Sequence, residues 1–387
     1  MTTARPRRPP GSTTPTVGPP RRILFTAGPF FGHVNPLLPL ALAARRAGHA
    51  VALATGPDFV DHVTARGVAA WPVGPTAAEA GTPQSLDHFL QTGASRAADL
   101  LPLTEAWHPD LVVSEELELG GPIAAARCGA RLVVHGLGIA AGGDWGTHAP
   151  SIDAVGRRWG VADLTARHTQ ATLVSICPPT LRPAGESSRP TLALRPTLGE
   201  SSGAPRLPAA FARLPFATTI HVTLGTVFHR RHPGVLQAAL AGLRGIDANV
   251  VVTVGPGVDP RELGSQPAHV LVAEYLPHAQ LLPHCNLVVS QGGAGVLFGA
   301  LAHGIPQLVL PQGADQFANA AAITTSGLGL SLDGSAVTPD AIARSARRLL
   351  TERGFASAAA AVAEDIAGMP GPDDVLAALT AGAGVSR

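Results

Sequence analysis

From Arg22 onward the chain alternates short apolar runs with longer stretches of helical periodicity. In its first half, Ile23 to Ala27, Ala50 to Ala54, Leu111 to Ser114, Leu132 to His135 and Leu173 to Ile176 are runs of strand length with little polar alternation. Such continuous apolarity marks strands covered on both faces, as in parallel sheets. Asn35 to Ala47 reads as a helix, with Leu37, Leu38, Leu40, Ala41 and Ala44 on one face. Asn35 suits its cap, Pro36 its first position and Gly48 its end, which leaves Gly28 to His33 as a loop. The alternation restarts later. Strands are expected at Thr219 to Leu224, Val250 to Val254, Val270 to Ala273, Leu287 to Ser290, Gln307 to Leu310 and around Leu330. Helices are expected at Gly234 to Leu243, Pro277 to Leu282, Ala294 to His303, Gln316 to Ser326, Pro339 to Thr351, Ala356 to Ala367 and Asp373 to Leu379. The pattern predicts an α/β fold: two doubly wound parallel sheets in series, with a cleft between them.

Composition divides this pattern into domains. Residues 1–20 are rich in proline, serine and threonine and predict a disordered arm. Residues 178–217 carry repeated prolines and Gly-Ser clusters and predict a linker. It separates a first domain, 21–177, from a second, 218–368, with a last helix in 369–387. A chain of 387 residues is long enough for two cores. The net charge of +1 points to neither nucleic acid nor an anionic membrane as partner. No apolar run reaches membrane-spanning length, and the arginine-rich start lacks a signal-peptide core. Cys128, Cys177 and Cys285 are too scattered for a CxxC site and read as free thiols, so a cytoplasmic protein is expected.

The candidate chemistry collects at strand ends, where parallel sheets bind ligands. Gln291-Gly292-Gly293-Ala294 joins a buried strand to a helix start, either a phosphate cradle or an ordinary turn. Gly225-Thr226 ends another strand and could lend backbone N–H groups to the same phosphates. Tyr275, Pro277 and His278 precede a short helix where a nucleobase could rest, and Asp315 and Gln316 offer an acceptor and an amide for sugar hydroxyls. In the first half, His33 stands past the end of the first strand. It is either a base for a hydroxyl proton or a loop histidine bonded to local backbone. Glu115, Glu116 and Glu118 end the strand that starts near Leu111, and Glu115 is the best-placed partner to fix the histidine tautomer. The glycines near residue 30 do not spell G-x-G-x-x-G, and no acidic residue follows the second strand. With no lysine in the chain there is no P-loop. No D-x-D pair and no His/Cys cluster suggests a metal.

Together, Gly32-His33-Val34-Asn35-Pro36, Pro109-Asp110-Leu111-Val112-Val113, Val222-Thr223-Leu224-Gly225-Thr226, the glycine turn and Pro311-Gln312-Gly313-Ala314-Asp315-Gln316-Phe317 form an ordered set. The set resembles the GT-B, family-1 nucleotide-sugar glycosyltransferases, nearest to the bacterial enzymes that attach deoxysugars to macrolides, enediynes and other natural products. The resemblance implies two Rossmann-like domains facing across a cleft. The first would bind a small-molecule acceptor and the second a TDP- or UDP-sugar co-substrate, with the last helix crossing back to the first domain. It also implies metal-independent inverting transfer with His33 as base and Glu115 as its partner. The diphosphate would lie on Gly225, Thr226, Gly292, Gly293 and Ala294, the base near Tyr275, Pro277 and His278, and the sugar against Asp315 and Gln316. Two other readings stand beside it: a nucleotide-sugar epimerase of the same fold, and a degenerate homologue that assists a true transferase. The sequence leaves room for a homodimer. Three positions depart from the family pattern: Gln291 where histidine is frequent, Val296 where threonine is usual, and Glu115 where aspartate is common. A neutral amide makes an ordinary hydrogen bond where a charged ring would make a stronger one. Gln291→His is therefore expected to tighten donor binding in a calorimetric titration; unchanged or weaker affinity would contradict the assignment of Gln291 to the diphosphate site.

Overall fold

A computed structural model describes residues 19–81, 86–139, 145–182, 189–197, 206–225, 233–255 and 257–381. Most of the arm expected over residues 1–20 lies outside them. The first sheet has seven parallel strands: β1 (Arg22–Thr26), β2 (Ala50–Thr55), β3 (Ala69–Pro72), β4 (Leu111–Glu115), β5 (Arg131–His135), β6 (Thr172–Ser175) and β7 (Thr191–Ala193). Their order is β3-β2-β1-β4-β5-β6-β7. The second has six: β8 (Thr219–Thr223), β9 (Asn249–Thr253), β10 (Val270–Ala273), β11 (Leu287–Ser290), β12 (Gln307–Val309) and β13 (Gly329–Ser331), in the order β10-β9-β8-β11-β12-β13. β4, β8, β9 and β11 are buried at every position; cover on both faces is why β4, β9 and β11 are dominated by apolar residues, while β8, Thr-Ile-His-Val-Thr, buries polar side chains as well. In each sheet the order reverses once, between β1 and β4 and between β8 and β11. A crevice opens beyond the carboxyl ends of the strands at such a reversal.

Two differences from the sequence expectation concern this frame. The stretch expected as linker contributes β7, which pairs with β6 and extends the first sheet. Three residues between prolines are too short to show a period. The first helix is Phe31–Arg46, four residues earlier than Asn35, and both Pro36 and Pro39 lie inside it. Phe30 is extended, and its carbonyl accepts the His33 and Val34 N–H groups, so the helix turn closes before the prolines are reached. Asn35 caps nothing; its side chain bonds the His62 ring at 2.7 Å.

Arg96, on the long helix Leu86–Trp107, clamps the strand ends of the first sheet. Its guanidinium donates to the carbonyls of Ala27 (2.7 Å), Ala54 (3.3 Å) and Val73 (3.2 Å), at the ends of β1, β2 and β3. Its Nε meets Glu118 Oε1 at 2.9 Å, both side chains being almost wholly buried. Glu118 also accepts the N–H groups of Gly120 and Gly121, each at 2.6 Å, where the helix Gly120–Cys128 begins. A carboxylate there is favoured by the helix dipole as well as by the arginine.

The last helix, Pro372–Ala381, packs on the first. Arg131 and Arg21 donate to its final carbonyls, at Leu379 (2.7 Å) and Thr380 (3.2 Å), while Arg46 pairs with Asp373 in its first turn at 2.9 Å. One apolar cluster runs from Val34 and Leu37 through Leu297 and Leu301 to Val375 and Leu379, so helices that follow both sheets share a core. Among the described residues, no helix is long and apolar enough to cross a membrane.

Removing one member of a buried ion pair leaves the other charged and uncompensated. Arg96→Met should cost about 3–5 kcal/mol of folding stability in urea unfolding; a loss below about 1 kcal/mol would show that the clamp does not hold the strand ends.

Candidate active site

The reversal between β1 and β4 brings His33 and Glu115 together. His33 is the third residue of its helix, and Glu115 is the last residue of β4. His33 Nδ1 lies 2.7 Å from Glu115 Oε1, with the carboxylate wholly buried and the imidazole 14% exposed. Glu115 Oε1 also accepts the Gly28 N–H at 3.3 Å, and Oε2 accepts the Leu117 N–H at 2.6 Å. Burial pushes the Glu115 carboxyl toward the neutral form, but the His33 charge, its hydrogen bond and the Leu117 and Gly28 amides together hold its pKa below the ordinary value. A carboxylate on Nδ1 keeps the ring proton there and presents the Nε2 lone pair. Of the three glutamates left open by the sequence, the structure thus gives His33 to Glu115. Glu116 accepts the Leu137 N–H, and Glu118 belongs to Arg96.

A pocket beside the pair is lined by Pro29, Phe30, His88, Thr92, Leu117 and Leu119. The Phe30 ring sits 5.3 Å from the His33 ring and 6.3 Å from that of His88. Burial, and secondarily the His33 charge, lowers the His88 pKa. Sequence reading did not find His88, because it comes from the long helix with no motif around it.

The second reversal assembles the other half. Gly225 follows β8 with φ +71° and Gly292 follows β11 with φ +85°, conformations that suit glycine. A Cβ on Gly225 would collide with the Gln291 amide nitrogen, and one on Gly292 would come within 2.6 Å of Val309. Gln291 is therefore folded over Gly225, with its Oε1 buried and, among the described residues, without a hydrogen-bond partner. Gly293 leads into the helix Ala294–Ala302, whose first N–H groups face the turn. Thr226, expected beside Gly225, lies outside the described residues.

Asp315 precedes the helix Gln316–Thr325, and its carboxylate accepts from Asn319 Nδ2 at 2.9 Å. Burial raises the Asp315 pKa; the Asn319 hydrogen bond, the local backbone and the charge of His33 oppose that shift without cancelling it.

Two expected contacts take different roles here. Gln316 is buried, and its Oε1 accepts the Gln312 N–H at 2.8 Å, so it braces the loop. The His278 ring turns onto the buried His221, Nε2 to Nε2 at 3.2 Å, because the short helix His278–Leu281 directs it inward. Burial lowers the pKa of His278 to about 4 and that of His221 to about 3, so both rings are neutral near pH 7. Pro277 is buried beside them, while the Tyr275 ring is 57% exposed at the rim. Among the described residues, no group of three or more His, Cys, Asp or Glu side chains is placed to hold a metal ion.

Comparison with known proteins identifies the family. Models described as the N-terminal and C-terminal domains of erythromycin biosynthesis protein CIII-like proteins match residues 80–196 and 237–381. The chain is 33% identical to an L-demethylnoviosyl transferase of Streptomyces niveus, over 80% of this chain and 85% of that one. The structure of glycosyltransferase VinC in complex with DTDP superposes with a TM-score of 0.77 at 26% identity, covering 94% of this chain and all of that one. Spinosyn rhamnosyltransferase SpnG, complexed with spinosyn aglycone, gives a TM-score of 0.79 at 26% identity over 92% and 99% of the two chains. The chain belongs to the GT-B glycosyltransferases of natural-product biosynthesis, in the erythromycin CIII-like group.

Proposed function

We propose that this protein transfers a deoxysugar from a TDP- or UDP-sugar to a hydroxyl of a small natural-product aglycone, with inversion at the anomeric carbon. The acceptor hydroxyl would give its proton to His33 Nε2 as its oxygen bonds to the anomeric carbon. The bond from that carbon to the diphosphate breaks, and the nucleoside diphosphate leaves with the electron pair. Glu115, held by His33 and two backbone amides, then faces the imidazolium and stabilises it. The departing charge would fall on the N–H groups of the Gly292-Gly293-Ala294 turn, with Gly225 and the Gln291 amide beside them. These fixed dipoles supply what a metal supplies elsewhere, so we propose metal-independent transfer. Asp315 would accept a sugar hydroxyl, with Gln316 keeping its loop in shape. Tyr275 and the backbone of Pro277 and His278 would line the base.

The observation that carries the reading is the 2.7 Å His33–Glu115 pair at the first switch point. Support for the donor and acceptor classes comes from VinC, solved with DTDP, and SpnG, solved with an aglycone. The pair also favours transfer over epimerisation or a purely auxiliary role, since neither calls for a His–carboxylate pair facing an acceptor.

A positioned general base contributes about 10²–10⁴-fold. With a panel of TDP- and UDP-sugars and aglycones, His33→Ala should lower kcat by at least about 100-fold, with a circular dichroism spectrum like the parent's. An alanine variant that turns over at the parental rate would remove His33 from the chemistry.

A further inference from the structure

Asp315 stands directly before a helix, where an aspartate ordinarily accepts an N–H from the first turn. It makes no such bond. Its Oδ2 instead accepts from Asn319 Nδ2, one helical turn on, at 2.9 Å. The same Nδ2 group donates to the Gly292 carbonyl, also at 2.9 Å. An amide nitrogen has two N–H groups, and Asn319 spends one on each side of the proposed donor site. Asn319 is wholly buried, and among the described residues its Oδ1 has no hydrogen-bond partner. A buried orphan oxygen is unfavourable, and an apolar residue here would avoid it. What the asparagine obtains in exchange is a fixed geometry between the carboxylate and the glycine turn.

We infer that Asn319 is a positioning residue for donor recognition: it fixes the rotamer of Asp315, leaving Oδ1 for a sugar hydroxyl, and locks that carboxylate to the Gly292 peptide beneath the diphosphate. The sugar-reading and phosphate-reading groups are thereby set at one distance, suited to an intact nucleotide sugar and not to the nucleotide alone. Asn319 is the neutral donor that holds Asp315 from its own helix. This inference rests on the proposed contact of Asp315 with the sugar.

The test compares the affinities of TDP and TDP-glucose by calorimetry for the full chain and for Asn319→Ala, Asp315→Asn and the double variant. In the parent, TDP-glucose should bind more tightly than TDP. Asp315→Asn should erase most of that preference, and Asn319→Ala should reduce it about tenfold. In the double variant the preference should fall no further than in Asp315→Asn, because Asn319 acts through Asp315. If Asn319→Ala weakens TDP and TDP-glucose equally, or only lowers Tm, then Asn319 merely packs the turn and the inference is overturned. If Asp315→Asn leaves the preference intact, or the parent shows none, the reading of Asp315 fails first and this inference falls with it. Asn319→Ser, which retains one donor, should recover part of the preference; equal loss in serine and alanine variants would count against positioning through the hydrogen bond.

Discussion

A buried carboxylate persists as a charge only when its oxygens are engaged by donors or cations. The first domain places two such groups three residues apart. Glu115 spreads its oxygens over the His33 ring and the Gly28 and Leu117 amides. Glu118 divides its own among Arg96 and the Gly120 and Gly121 amides. These bonds fix the loop beyond β4 at both ends, and through Arg96 they fix the ends of β1, β2 and β3 as well. His33 is therefore held by a carboxylate that the Gly28 and Leu117 amides hold in turn. The acidic cluster at the end of β4 has one glutamate for the chemistry and one for the frame.

The second domain reaches a comparable rigidity with neutral groups. Gly225 and Gly292 take up the left-handed conformations that bring backbone close, and Gln291 fills the space over Gly225 that any side chain there would occupy. Asn319 ties this turn to Asp315. The two halves are held together by the last helix, which meets Arg21, Arg46 and Arg131 of the first domain as well as sharing the apolar cluster. A base in one domain and a donor site in the other need that common core if their distance is to be reproducible.

Much of this was legible in the sequence for one reason: strands buried on both faces are continuous apolar runs, and the chemistry lies just past their ends. β1, β2, β4, β5, β6, β9, β10 and β11 follow from that pattern, and the ends of β1 and β4 point to His33 and Glu115, whereas β8 alternates threonine and histidine with isoleucine and valine. What was illegible depends on direction, which periodicity does not carry. The preference of proline for a first helical position misplaced the start of the helix Phe31–Arg46, where the chain tolerates two interior prolines instead. Short edge strands such as β3 and β7 have too few residues to show a period. Arg96 looks like a surface residue of a polar helix, and only the fold shows it buried among three carbonyls. Gln316 and His278 have the right chemistry for a ligand but turn inward, toward Gln312 and His221.

The account depends on the negative charge of Glu115, and not only on its shape. Glu115→Gln keeps the size of the side chain while removing the charge and allowing the opposite histidine tautomer, so it separates the two. The most direct measurement is kcat for transfer to a fixed aglycone by this variant beside the parent, with folding checked by thermal unfolding. A folded variant slowed by roughly 10³–10⁴-fold is the result the account predicts; a folded variant with parental kcat would contradict it.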